Sequence, residues 1–400
     1  MADVLAKGVG SFMSVKLKVR HDSFTDQVQR IWMTKVFVVS SIIMFSSRFY
    51  DQGMGCIVPE SVKLPNDFVQ NGCWIRGFYI YPYLADHMDQ SAYYGIPNEL
   101  RYTGYSRNDP SSLCVAPRGR QRRGSTSVHE SCIPMQKEYF KQFQWMPYCI
   151  FVMAFLFYLP YILFRYTITD IVSLRQNLKS PEINADDYIC YYFDHRNNSI
   201  TKQRIRIFFS YAVKILYIIV NMTIFYILDW STNYRFKSYG NDWFEFSRLD
   251  DAMKHDFDWR SEPTPGNRFL PTFALCDLSA VHSKTFSVRS TVVCEVSSFL
   301  YFQYIFLLLW LFVIMGMCLS ALGFIFHMGY HMFLYWTMKH SRSSNLYNQL
   351  TLREMEYLEC LRLNDLVLHS RVLKTLIRER VRRSDTSLLV TRDGEHDTIC

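Results

Sequence analysis

The sequence predicts an all-α membrane protein with four transmembrane helices, two disulfide-tied extracellular loops and helical cytosolic segments. Three observations carry this. Apolar residues collect in four blocks although mean hydropathy is near zero. Six of the eleven cysteines fall in the two long segments that the blocks leave on one side. Basic residues crowd the block ends on the other side.

The blocks are MTKVFVVSSIIMF (33–45), MPYCIFVMAFLFYLPYILF (146–164), IFFSYAVKILYIIVNMTIFYIL (207–228) and SFLYFQYIFLLLWLFVIMGMCLSALGFIF (298–326). A helix rising ~1.5 Å per residue needs ~20 mostly apolar residues to cross a ~30 Å hydrocarbon core. The last three blocks qualify outright. Ile31, Trp32 and the stretch to Phe49 extend the first, and Lys35 can snorkel to a headgroup. The alternative, four buried helices of a soluble core, fits poorly with a fourth block so long and so free of charge. The spans are therefore placed at 31–49, 145–166, 207–228 and 298–326.

The first residues, MADVLAKGVGSFMSVKLKVR, hold no continuous apolar run and do not read as a cleaved signal peptide. Both ends of the chain are then expected on one side. An N-terminal segment (1–30), an inner loop (167–206) and a helical tail (327–400) share that side. Loops 50–144 and 229–297 lie opposite. Lys16, Lys18, Arg20, Arg30, Arg165, Arg175, Lys202, Arg204, Arg206, Lys339 and Arg342 mark the cytosolic side by the positive-inside rule. Asp242, Glu245, Asp250, Asp251, Asp256 and Asp258 make the second outer loop acidic. Arg118, Arg120, Arg122 and Arg123 run against the rule, but they sit mid-loop, where it counts little.

On this topology Cys56, Cys73, Cys114, Cys132, Cys276 and Cys294 face an oxidising space, and their even number reads as disulfides. None shows the short C-x2-4-C spacing of a zinc site. Cys190, Cys360 and Cys400 are expected in the reducing cytosol. The polar, basic segment 106–132 looks inserted, and Cys114 with Cys132 is expected to close it on itself.

The start of the second span reads Phe143-Gln144-Trp145-Met146-Pro147-Tyr148. This resembles the Tyr-Gln-Trp-Val-Pro signature of innexins, the invertebrate gap-junction proteins. Cys56-Ile-Val-Pro59 and Gly72-Cys73-Trp74 are similar to the family's first extracellular loop, and residues 25–30, Thr-Asp-Gln-Val-Gln-Arg, to its approach to the first span. Phe143 and Met146 depart mildly from the signature, which has Tyr and Val there. The resemblance covers nearly the whole chain. It implies an oligomeric large-pore channel: an octameric hemichannel in the plasma membrane that docks to one on the neighbouring cell, with the same or other innexins, and passes ions and small molecules. An undocked hemichannel releasing small metabolites is the alternative. The resemblance also implies the pairings Cys56–Cys294 and Cys73–Cys276.

Single residues carry further expectations. Trp145-Met146-Pro147 reads as a helix start, where a missing N–H costs nothing. Pro160 should kink the second span, as a static bend or a gating hinge. Lys214 and Asn221 lie deep in the third block, where polar groups face a bundle interior or water; a pore-side or inter-subunit position is expected. Leu5, Val9 and Phe12 share a helical face near the N-terminus, competing with a surface helix or a disordered tip. The resemblance places that segment in the pore mouth.

Enzyme chemistry is scarce. His327 and His331 are one helical turn apart, a ligand-like pair that supports only a remote reading as a membrane metalloenzyme. No cofactor motif and no nucleic-acid motif appears. The basic stretch RVLKTLIRERVRR (371–383) suits acidic lipid or a solvated cytosolic helix. The sequons at Asn197 and Asn221 fall, on this topology, in the cytosol and in a membrane helix, and the outer loops have none.

Overall fold

The computed structural model describes residues 23–50, 54–58, 65–85, 91–98, 105–107, 132–140, 142–178, 185–250, 264–283, 286–340 and 350–389. Among the described residues, four helices are long and apolar enough to cross a membrane: Phe24–Ser46, Gln144–Thr167, Ile200–Ser231 and Ser298–Lys339. They are called the first to fourth spans below.

The first span opens on Ser23, whose hydroxyl accepts from the Asp26 N–H as an N-cap. Its next residues, Val28–Met33, form a π-helical turn before regular α-helix resumes at Thr34. The second span is broken. One helix runs Gln142–Leu156 and the next Leu159–Thr167, with Pro160 in its first turn. Pro160 lacks the N–H that would have bonded to Leu156, and tight bonds from Tyr158 to Phe155 and from Tyr161 to Tyr158 replace the regular ladder. Pro147 departs from expectation. The helix starts at Gln142, so Pro147 lies inside it and not in the first turn. Its carbonyl gains a bond from Ser41 Oγ at 2.7 Å. The fourth span does not end at Phe326. Nothing in HMGYHMFLYWTMK breaks a helix, and it continues to Lys339.

Outside the spans the chain forms helices α1 (Asn66–Arg76), α2 (Thr169–Asn177), α3 (Phe236–Ser247), α4 (Leu352–Asn364) and α5 (Leu366–Leu389). The strands are β1 (Met54–Ile57), β2 (Phe78–Ile80), β3 (Ser91–Tyr93), β4 (Ile96–Pro97), β5 (Tyr105–Arg107), β6 (Cys132–Pro134), β7 (Glu138–Phe140), β8 (Phe273–Ser283) and β9 (Phe286–Val296). They add an antiparallel sheet to a mostly helical chain. Its order is β1-β9-β8-β2-β7, with β3-β4 and β5-β6 as separate pairs.

The chain forms two compact units: residues 1–34, 155–222 and 315–400 in one, and 35–154 and 223–314 in the other. The second holds the sheet. Its small core gathers Tyr79, Tyr81, Leu84, Ile96, Met135 and Leu275. The first holds the C-terminal helices. Leu174, Tyr192, Phe193, Leu334, Tyr357 and Leu361 are among its buried residues. Thr351 and Glu354 cap α4 reciprocally, satisfying two backbone donors at its start.

Candidate functional site

In the sheet-bearing unit, Cys56 on β1 and Cys294 on β9 stand directly opposite in register and are disulfide-bonded. Cys73 on α1 is bonded to Cys276 on β8. Each bridge joins the segment after the first span to the segment before the fourth. The sulfurs of Cys56, Cys73 and Cys294 lie within 4.8 Å of one another, but as two neighbouring disulfides and not as thiolate ligands. Gly72 lets α1 approach this closely: a Cβ there would stand 2.6 Å from a Leu278 methyl.

A polar hub reinforces the sheet. Asp277 on β8 accepts from Tyr79 Oη at 2.7 Å, Thr291 Oγ1 at 2.8 Å and Lys137 Nζ at 2.5 Å. Burial acts to raise its carboxyl, but the hydrogen bonds from Lys137, Tyr79 and Thr291 outweigh that and hold it below the ordinary carboxylate range. Arg76, closing α1, donates to the Asp277 carbonyl at 2.7 Å. After the third span, Asn233 and Tyr234 adopt positive φ of 55° and 62°. Glu138 on β7 clamps that turn, accepting from Asn233 Nδ2 at 3.1 Å and Arg235 Nη2 at 2.6 Å.

The signature residues divide their work. Gln144 donates its side-chain amide to the Trp74 carbonyl, tying the start of the second span to the C-terminal end of α1. Met146 is buried, while Trp145 and Tyr148 stay partly exposed. The Phe143 backbone belongs to the helix, and its side chain lies outside the described residues. Met146, Phe269, Phe302 and Phe306 help to line an apolar cavity of about 30 Å³, too small for a metabolite.

In the other unit, the deep polar residues of the third span are not lining groups. Lys214 is 6 % exposed and its Nζ lies 2.6 Å from Asp26 Oδ2 and 2.8 Å from Ser23 Oγ. Asn221 is fully buried. It donates to Gln29 Oε1 at 3.1 Å, and Gln29 donates to the Gly316 carbonyl at 2.6 Å. The expected pore-side position is thus corrected to an interior one. Both residues find polar partners on the first span of the same chain, which removes the reason to face water.

The histidine pair resolves similarly. His331 Nδ1 is 2.8 Å from Tyr211 Oη, and its Nε2 lies 2.8 Å from a Glu356 carboxylate oxygen. His327 Nε2 meets Ser210 Oγ at 3.0 Å.

Beyond them is a buried ionic hub. Arg353 Nε and Nη2 make a forked pair with Asp170 at 3.0 and 2.6 Å, and Nη1 reaches Glu356 at 2.5 Å. Arg206 Nη1 adds a contact to Asp170 at 2.7 Å, and Tyr357 donates its hydroxyl to the same carboxylate. Burial raises the Asp170 carboxyl, yet the Arg353 hydrogen bonds and charge, the Tyr357 hydroxyl and Arg206 together leave it below its usual value. Glu356 is also held low: burial opposes, while His331 and Arg353 prevail.

Leu5, Val9, Phe12 and Cys114 lie outside the described residues, as does the Cys132 side chain, although its backbone forms β6. Cys190 is disulfide-bonded, in place of the reduced thiol expected. The sequence placed Asp26 and Gln29 in the family-like stretch 25–30 without partners, and it did not single out Asp170, Asp277 or Arg353. Their signal is a charged or amide residue next to a span, but its partner is far along the chain.

A family model described as Innexin matches residues 22–391. No curated protein matches the chain.

Proposed function

The chain belongs to the innexin family, and from that premise we propose that it is a subunit of a gap-junction channel that passes ions and small molecules between adjacent cells. Innexins form membrane channels and are not enzymes, which retires the metalloenzyme reading of His327 and His331. The observation that carries the finer reading is the sheet, in which β1, β8 and β9, from two distant loops, are covalently tied into one plate. A face that must meet a rigid copy of itself needs its shape fixed in advance, because ordering loops on contact would cost affinity.

In this reading the sheet-bearing unit faces the intercellular gap and both chain ends face the cytosol. An octameric ring surrounds the path, since four helices alone cannot enclose a wide one, and two rings dock across the gap. Flow is diffusive, selected by path width and lining charge. The acidic second loop and the basic span ends agree with this sidedness.

Dye transfer between paired cells expressing only this chain tests the reading. Transfer is expected, and it should vanish on Cys73→Ser with Cys276→Ser. Current in single cells without transfer between pairs would replace the junction by an undocked hemichannel.

A further inference from the structure

One face of the third span is made for hydrocarbon. It starts at Phe208, which is 68 % exposed, and continues along the same helix through Ile215, Ile219 and Met222 to Tyr226 and Trp230, all exposed. Apart from Thr223, every exposed residue from Phe208 to Tyr226 is apolar or aromatic. At ~1.5 Å per residue that stretch covers ~27 Å, close to the ~30 Å of a hydrocarbon core. Tyr226 and Trp230 end it with side chains that favour a headgroup layer. The other end is cationic. Arg204 stands one turn before Phe208 on the same face, and Arg204, Lys202 and Arg196 are all exposed. Among the described residues, no carboxylate pairs with any of these three side chains. Arg206 differs. It lies two residues after Arg204, on the other side of the helix, and Asp170 neutralises it at 2.7 Å.

We propose that this end of the third span seats an anionic glycerophospholipid. Arg204, Lys202 and Arg196 receive its phosphate, and an acyl chain lies along Phe208 and Ile215. Charge complementarity sets the class: three unneutralised cations at the head of an apolar stripe match a phosphate that carries tails. Each basic residue near such a headgroup contributes about a fivefold gain in binding. A free phosphate would leave the stripe unused. The inference rests on the reading that this end of the span lies at the cytosolic leaflet, where anionic lipids collect.

The experiment uses the purified full chain in detergent, where binding does not depend on sidedness. Phosphatidylserine is the probe and phosphatidylcholine the neutral control, and lipid retained per chain is counted by mass spectrometry. Phosphatidylserine should be retained in preference; equal retention of the two overturns the inference. Arg204→Gln, Lys202→Gln and Arg196→Gln should each weaken its retention about fivefold. Arg204→Lys keeps the charge and should restore most of it, which a folding defect would not do. Phe208→Ala should also weaken retention, with no charge altered. Excess inorganic phosphate should fail to displace the lipid. Displacement by phosphate, with Phe208→Ala unaffected, would make this a site for a free anion and overturn the lipid assignment. Arg371→Gln with Lys374→Gln removes two exposed cations of α5 and should leave retention intact. Loss there in place of the third span would move the lipid to α5 and overturn the inference. Sidedness is read separately. A glycan on Asn197 in eukaryotic cells would overturn the cytosolic reading while the detergent result stood, whereas no preference for phosphatidylserine would overturn the lipid seat alone.

Discussion

Asp170 shows how a single side chain can organise a fold segment. It sits in the first turn of α2 and receives Arg353, Arg206 and Tyr357 together. Removing one partner from such a cluster leaves buried charge unbalanced. Asp170→Asn should therefore destabilise the purified protein by ~3–5 kcal/mol, read as a lowered midpoint in detergent unfolding. The pH dependence has a definite sign. The carboxyl is held below its ordinary value, so its contribution is complete above the unfolded pKa of ~3.9 and is lost as pH falls through the folded value. The variant should show a weaker acid-side loss than the unsubstituted chain. An equal loss would assign acid sensitivity to other carboxylates, such as Asp277 or Glu356. Gly240 makes a second residue-scale test. A Cβ there would stand 2.2 Å from the Trp310 ring, so Gly240→Ala should cost ~1–3 kcal/mol by overpacking. Gly329, with nothing within 4 Å, is the control whose Ala variant should be neutral or slightly stabilising.

At the scale of elements, the spans were legible because a hydrocarbon slab imposes a length and a composition that a sequence cannot hide. The ends were less so. The fourth span runs on to Lys339 and the second starts by Gln142, since leaving the apolar layer does not stop a helix. The sheet was hardly legible. β1, β2 and β7 are three or four residues long, too short for alternation to stand out, and they pair with partners across the chain. The bridges divide this architecture between them. Cys56–Cys294 fastens the edge strand β1, whereas Cys73–Cys276 fastens α1 to β8. Loss of either should cost ~2–5 kcal/mol. Cys73→Ser with Cys276→Ser should additionally free α1, raising amide exchange over Asn66–Arg76 while exchange in β8–β9 stays slow. Exchange rising equally in both would mean that the bridge holds the whole sheet.

For the whole molecule, the third span corrects a tempting inference. Lys214 and Asn221 looked like lining groups because a sequence gives depth but not facing. The faces were set by Asp26 and Gln29 on another span, which no local pattern connects to them. Sidedness is the remaining property of the whole chain, and α1 provides its test. Asn66 opens that helix, exposed, with Asp67 and the exposed Phe68 after it. Phe68→Thr makes Asn66 a glycan acceptor, and a glycan is added only on the outer side. Protein from eukaryotic cells should gain a mobility shift that a glycan-removing enzyme reverses, whereas the unsubstituted chain should show none: its sequons at Asn197 and Asn221 lie in or beside the third span, and Asn221 is fully buried. A shift in the unsubstituted chain lost on Asn197→Gln would invert the topology. Because α1 is bolted to β8 by Cys73–Cys276, the added glycan cannot swing aside. Hemichannel current should persist in single cells while dye passage between pairs falls. Dye passing freely beside a verified glycan would move the docking face away from α1 and onto another part of the sheet-bearing unit.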